Sequence, residues 1–211
     1  MARTANPKTR DSLMEAAFGL IRQKGLAATS VDEICAAAGV SKGAFFHYFA
    51  SKDALAAEAA YHWSAVTEPF FAGADYHAPE DPLDRVLGYI DLRRAMTDGE
   101  IAEFTCFVGT MVQEAWTTSP AVQAAAWDSM SRHADALVPD IEAARRARGI
   151  TGDWTARSLA LHMVSVVQGA FILAKASGDR ALAGDSIGHL RRYVEHLFAP
   201  ASPAGALRKG N

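Results

Sequence analysis

Side chains that could carry covalent or metal chemistry are few and scattered in this sequence. Among its seven histidines, His189 and His196 stand one heptad apart without an accompanying ligand cluster, and no His-Glu-x-x-His pair, Gly-rich phosphate loop or nucleophile motif is present. The residues therefore speak against an enzyme and give no metal or cofactor to expect. Cys35 and Cys106 are too few for a disulfide framework, which suits a reducing, cytoplasmic setting. What remains is concentrated between residues 30 and 52: the hydroxyls of Ser30, Ser41 and Ser51, the ammonium groups of Lys42 and Lys52, the rings of Phe46, His47 and Tyr48, and the small Gly43 and Ala44. Hydroxyl and ammonium groups at helix starts suit phosphate oxygens, since unpaired backbone N–H groups there attract anions. Net charge is −3, against a nucleic-acid partner at first sight. Up to Lys52, however, Arg3, Lys8, Arg10, Arg22, Lys24, Lys42 and Lys52 face only Asp11, Glu15, Asp32 and Glu33, so any affinity for DNA belongs to that end.

The elements that must position these groups are helices. Alanine is abundant, strand-like alternation persists nowhere, and apolar residues recur at helical spacing, so an all-α fold of about nine helices is expected. A support helix over 7–24 places Leu13, Ala17, Leu20 and Ile21 on one face and stops at Gly25. Ser30 and Glu33 form an S-x-x-E capping box for a second helix ending at Gly39. Ser41 caps a third over 42–48, and Ser51 a fourth that Pro69 should end or kink. Cys35 at a helix crossing, Gly39 at the turn and Phe45 seating the following helix give helix-turn-helix geometry, with residues 42–48 offered to a major groove. Further helices are expected over 82–97, 100–116, 119–148 (kinked at Pro139), 153–177 and 182–198. The division is a DNA-binding domain at 1–52, a ligand-binding and dimerisation domain at 53–198, and a flexible tail at 199–211. The N-terminus has no signal-peptide h-region, and the apolar stretch 159–174 is too short to span a membrane and contains His162, Ser165 and Gln168.

Thr29-Ser30-Val31-Asp32-Glu33-Ile34, followed by the run Gly39-Val40-Ser41-Lys42-Gly43-Ala44-Phe45-Phe46-His47-Tyr48-Phe49-Ala50-Ser51-Lys52-Asp53-Ala54-Leu55, resembles the DNA-binding domain of the tetracycline-repressor (TetR) family over roughly residues 9–55. The resemblance implies a homodimeric transcriptional regulator, most often a repressor, that binds a roughly palindromic operator and is released by a small-molecule effector. It implies that Lys42, Gly43 and Ala44 approach bases or phosphates, that Phe46 and Tyr48 make aromatic contacts, and that Lys52 clamps the backbone. Ala44 and Phe46 depart from the family pattern, where a hydroxyl-bearing Thr or Ser and a Tyr are usual, and Asp32 offers no Arg for base reading. A helical small-molecule-binding protein with impaired or lost DNA binding is therefore the alternative.

Beyond residue 53, pocket-lining and core-filling residues are the same chemical kind. Trp63, Phe104, Phe107, Met111, Trp127, Met130 and Met163, with His133 and Gln168 as polar groups, are the candidate contacts for a small, mostly apolar effector. Ile187, Leu190, Val194 and Leu197 form a stripe that, with Ser165 and Gly169 allowing close approach, is the candidate dimer face. The lesser alternative is that the stripe packs within one subunit.

Overall fold

The computed structural model describes residues 7–199. Arg3 and all of the expected tail except Ala199 lie outside the described residues. Ten α-helices and no strand occur among them: α1 (Pro7–Lys24), α2 (Val31–Ala38), α3 (Lys42–Tyr48), α4 (Lys52–Ala72), α5 (Pro82–Ala95), α6 (Ile101–Phe104), α7 (Phe107–Ala115), α8 (Pro120–Ala147), α9 (Ala156–Ser177) and α10 (Ala181–Leu197). Short 3-10 turns at Asp75–His77 and Met96–Asp98 complete the order.

Local chemistry sets the first boundaries. Gly25 and Gly39 take φ of +88° and +66°, a region closed to most side chains, and so end α1 and α2. Ser30 and Glu33 form the expected reciprocal capping box, while Ser41 Oγ accepts from the Ala44 N–H and Ser51 Oγ from the Ala54 N–H.

Two boundaries differ from expectation. Helix α4 runs through Pro69 to Ala72, because so near the C-terminus the missing proline N–H removes one bond in a turn whose last carbonyls the Gly73 N–H still reaches. Helix α8 runs through Pro139, as the single helix expected over 119–148 does. The segment expected as one helix over 100–116 is two, because Thr105 is extended at φ −76°, ψ 150°. There Cys106 restarts the chain as α7, its Sγ accepting from the Gly109 N–H at 3.4 Å.

Two apolar cores result. The first unites Leu13, Ile21, Ile34, Phe45, Phe49 and Leu55 with Phe107, Met111, Val122 and Ala126, so it does not close at residue 52 but continues into α4, α7 and the start of α8. The second lies between α5, the later part of α8, α9 and α10. Helix α9 is apolar and long enough to cross a membrane by composition, yet it buries Leu159, Met163, Val167 and Phe171 in that second core, packed between α8 and α10.

Candidate DNA-binding surface and inner cavity

Burial of Ile34, Cys35, Phe45 and Phe49 fixes α3 against α1 and α2 and turns the other face of α3 outward. Lys42, Gly43, Phe46 and His47 lie exposed on that face, Phe46 at 52%. A Cβ on Gly43 would meet nothing nearer than Ser41 Oγ at 3.8 Å, so the glycine answers no internal packing need. Ala44 and Tyr48 are half-buried at the edge of the surface, and the His47 and Tyr48 rings meet edge to face. Burial raises the Cys35 thiol pKa, as its place at the helix crossing suggests.

Two hydroxyls differ in what they have left to give. Ser30 donates to Glu33 Oε2 at 2.8 Å and accepts from the Glu33 N–H, which occupies it within the capping box. Among the described residues Ser41 only accepts, from the Ala44 N–H, leaving its O–H proton for an outside acceptor. Both lysines are engaged within the chain. Lys42 Nζ lies 2.9 Å from Asp32 Oδ1 in an exposed pair joining α3 to α2. Lys52 Nζ donates to the carbonyls of Leu26 and Thr29 at 2.7 and 2.8 Å, closing the α1–α2 loop. Beside the phosphate clamp that the resemblance implies, the ammonium thus serves an internal cap whose acceptors lie more than twenty residues away.

Between the two cores, α4 to α9 enclose a cavity of about 120 Å³. Trp63, Phe104, Met130, His133 and Gln168 line it, as the sequence reading has them. Phe107 and Met111 do not: both are fully buried in the first core, Phe107 with its ring edge-on to Phe18 at 4.9 Å. Met163 is fully buried away from the cavity, and Trp127 is 57% exposed on the outside of α8. An apolar side chain at helical spacing names a face, and which space that face meets depends on helices far along the chain.

The sequence reading missed Ser64, Phe71, Tyr89, Arg93, Cys106 and Ser129, all of which line the cavity. Ser64 and Ser129 satisfy one another at 2.7 Å across α4 and α8. Tyr89 Oη and His133 Nε2 lie 2.8 Å apart. Burial, assisted by the nearby Arg93 charge, depresses the His133 pKa to about 4, while burial raises that of Tyr89. Near pH 7 both are therefore neutral, and one proton lies in their contact, on Tyr89 Oη or on His133 Nε2 according to the tautomer. Tyr89 and Arg93 stand four residues apart on one face of α5, a spacing that could have flagged an arginine inside an apolar stripe.

Ile187, Leu190 and Val194 are also corrected. They are 0–3% exposed and pack within their own chain against α5 and α9, so the regular stripe is consumed internally. Leu197 is half-buried beside it; Ser165 is exposed and Gly169 partly so on the opposite side of α9. That outer side carries Ile172 and Leu173, 47% and 53% exposed, next to Leu182 and Tyr193 of α10 at 40% and 48%. The rings of His162 and Tyr193 join the two helices there at 5.3 Å.

An exposed second helix of a helix-turn-helix, carried on a helical body with an internal cavity, defines a DNA-binding regulator rather than an enzyme. The family signature of bacterial regulatory proteins, tetR family, matches residues 13–59, and that of the tetracyclin repressor-like C-terminal domain matches residues 82–190. The chain belongs to the tetR family of transcriptional regulators. Similar solved structures include a TetR-family transcriptional regulator from Agrobacterium tumefaciens, 24% identical with a TM-score of 0.75, covering 89% of this chain and 98% of that one. Another is the regulatory protein TetR from Rhodobacter sphaeroides, 22% identical with a TM-score of 0.75, covering 90% and 98%. Both are likenesses of fold. The uncharacterized HTH-type transcriptional regulator YerO of Bacillus subtilis is 41% identical over 46 residues, which span 22% of this chain and 16% of that protein.

Proposed function

We propose that this chain is a cytoplasmic, homodimeric repressor of transcription that leaves a roughly palindromic operator when a small molecule enters the inner cavity. The observation that carries the reading is the continuity between cavity and DNA-binding core. Helix α4 starts beside α3, buries Leu55 and Ala56 in the first core, and lines the cavity from Trp63 to Phe71. The α6–α7 break does the same from the other side: Phe104 and Cys106 line the cavity, while Phe107 packs on Phe18 of α1. Arg22 of α1 donates to the Glu103 carbonyl at 2.7 Å, and Glu114 of α7 accepts from the Ala27 N–H at 2.6 Å. A molecule that spreads α4 from α6 and α7 would therefore move both supports of the recognition helix. It shifts operator affinity only as far as it favours the DNA-incompetent arrangement.

On this reading Lys42, Gly43, Ala44, Phe46, His47 and Tyr48 meet DNA, with Ser41 donating to a phosphate. The dimer forms through the outer faces of α9 and α10. Engagement of Lys42 and Lys52 within the chain favours a weaker hold on the backbone than the family pattern implies, which keeps the alternative of a ligand-binding protein with impaired DNA binding in view. One experiment separates the two: selection of bound duplexes from a random DNA pool, followed by titration of the selected site at two salt concentrations. An enriched palindrome whose affinity falls steeply with salt is the expected result. No enrichment at low salt would reject the repressor.

A further inference from the structure

The guanidinium of Arg93 projects into the cavity from α5 between the rings of Phe71 and Phe171, at 5.3 and 5.4 Å from their centres. Its Nε is shut off from solvent and has no hydrogen-bond partner. No carboxylate lies within ion-pair range of it among the described residues. Stacking on rings fixes the plane of the group but leaves its Nε–H unanswered, and a buried donor without an acceptor is unfavourable. Each acidic group that lines the same cavity has one oxygen engaged elsewhere. Glu68 Oε2 accepts from Arg132 Nη2 at 2.8 Å, and Glu103 Oε2 accepts from the Glu100 N–H at 3.3 Å. His133, held neutral by burial and by the Arg93 charge itself, adds no second positive charge near pH 7.

From this arrangement we infer that the cavity takes a small molecule with an apolar, ring-sized body and a single carboxylate, the carboxylate accepting from Arg93. The inference rests on reading the cavity as the effector site and adds to it the chemical class of the effector. Size supports the class: the cavity holds about 120 Å³, and an apolar protein cavity of about 150 Å³ accommodates benzene. One ring carrying a carboxylate slightly exceeds that space, so its entry presses α4 away from α6 and α7. A planar guanidinium fixed by two rings presents paired N–H donors in the geometry a carboxylate accepts with both oxygens, whereas a hydroxyl offers one uncharged oxygen and a protonated amine no acceptor. The remaining buried oxygen without a partner, Glu68 Oε1, can accept from a hydroxyl on the same molecule.

Calorimetric titration of the full chain, without DNA, with benzoate, 4-hydroxybenzoate, benzyl alcohol and benzylamine tests the inference. Benzoate should bind about tenfold or more tightly than benzyl alcohol, the scale of a hydrogen bond to a charged group. In Arg93→Gln, checked for folding by circular dichroism, that preference should vanish, and Arg93→Lys should restore part of it. Benzyl alcohol or benzylamine binding as tightly as benzoate would overturn the inference, as would absence of saturable carboxylate binding. So would a carboxylate preference untouched in a folded Arg93→Gln protein. Should Arg93→Gln fail to fold, the ligand series on the unaltered chain decides alone. A second titration, of selected operator DNA with benzoate present, keeps the two readings apart. Arg93-dependent binding that leaves operator affinity unchanged upholds the carboxylate site and removes its role as effector site.

Discussion

Replacing Lys52 separates two roles that its position suggests equally. As an internal cap it holds the carbonyls of Leu26 and Thr29, so Lys52→Met should lower stability by about 1–2 kcal/mol, measured as a shift in the urea midpoint at constant m. Loss of DNA affinity at unchanged stability would show a phosphate clamp instead. Asp32 acts in the opposite sense, by holding Lys42. Asp32→Asn should free that ammonium and tighten binding to any duplex, steepening the salt dependence by about one unit per released lysine; fluorescence anisotropy at several salt concentrations would read it, and an unchanged slope would exclude it. His133 supplies a pH signature. Its folded pKa of about 4 lies below the ordinary 6.5, so between these values the unfolded chain binds the extra proton and stability falls as pH drops. The loss approaches about 3 kcal/mol by the low end, and His133→Gln should flatten urea midpoints measured from pH 7 to pH 4. Residue roles were legible where partners are local. Ser30, Ser41 and Ser51 reach three residues ahead and could be read from spacing, whereas the partners of Lys52 and Arg93 come from elements that no spacing names.

At the scale of elements, the starts of α2, α3 and α4 were legible because each carries its own serine cap, and the stops of α1 and α2 because each has its own glycine. The α6–α7 break was not. Residues 105–110, Thr-Cys-Phe-Val-Gly-Thr, are weak helix formers, but propensity alone does not place a break, and the interruption at Thr105 becomes apparent only once Phe104 is seen in the cavity and Phe107 in the core beneath α1. That break turns one helical segment into a lever between two environments. Phe107 meets Phe18 and Trp63 at 4.9 and 6.0 Å, so Phe107→Leu should keep the fold, at a loss of about 1.5 kcal/mol or less, while loosening the contact. The expected outcome is an effector Kd within about threefold of the unaltered protein but a smaller effect of saturating effector on operator affinity, since coupling needs packed contacts between the sites. Undiminished release from the operator would rule out this route.

For the molecule as a whole, the all-α class and the pairing of a DNA-binding end with a larger helical body were legible from composition and one motif. The dimer face was not. A stripe of Ile187, Leu190 and Val194 announces that α10 buries one side, but periodicity is silent on whether the covering surface belongs to the same chain. Here it does, and the outward side of α9 and α10 is left with Ile172, Leu173, Leu182 and Tyr193. The two surfaces give opposite mutational outcomes. A charge at Val194, which is fully buried, enters an apolar core without a partner, so Val194→Asp should unfold the chain. A charge at Leu173, which is 53% exposed, leaves the isolated subunit intact. If the outer faces meet across a two-fold axis, Leu173→Glu places the substituted residue in both halves of one interface, and sedimentation should report monomers with unchanged helical content. Operator affinity should then collapse although every residue of α3 is untouched, because each recognition helix loses the effective concentration that its partner supplies. A Leu173→Glu protein that remains dimeric and binds operator normally would place the two-fold axis elsewhere on the body.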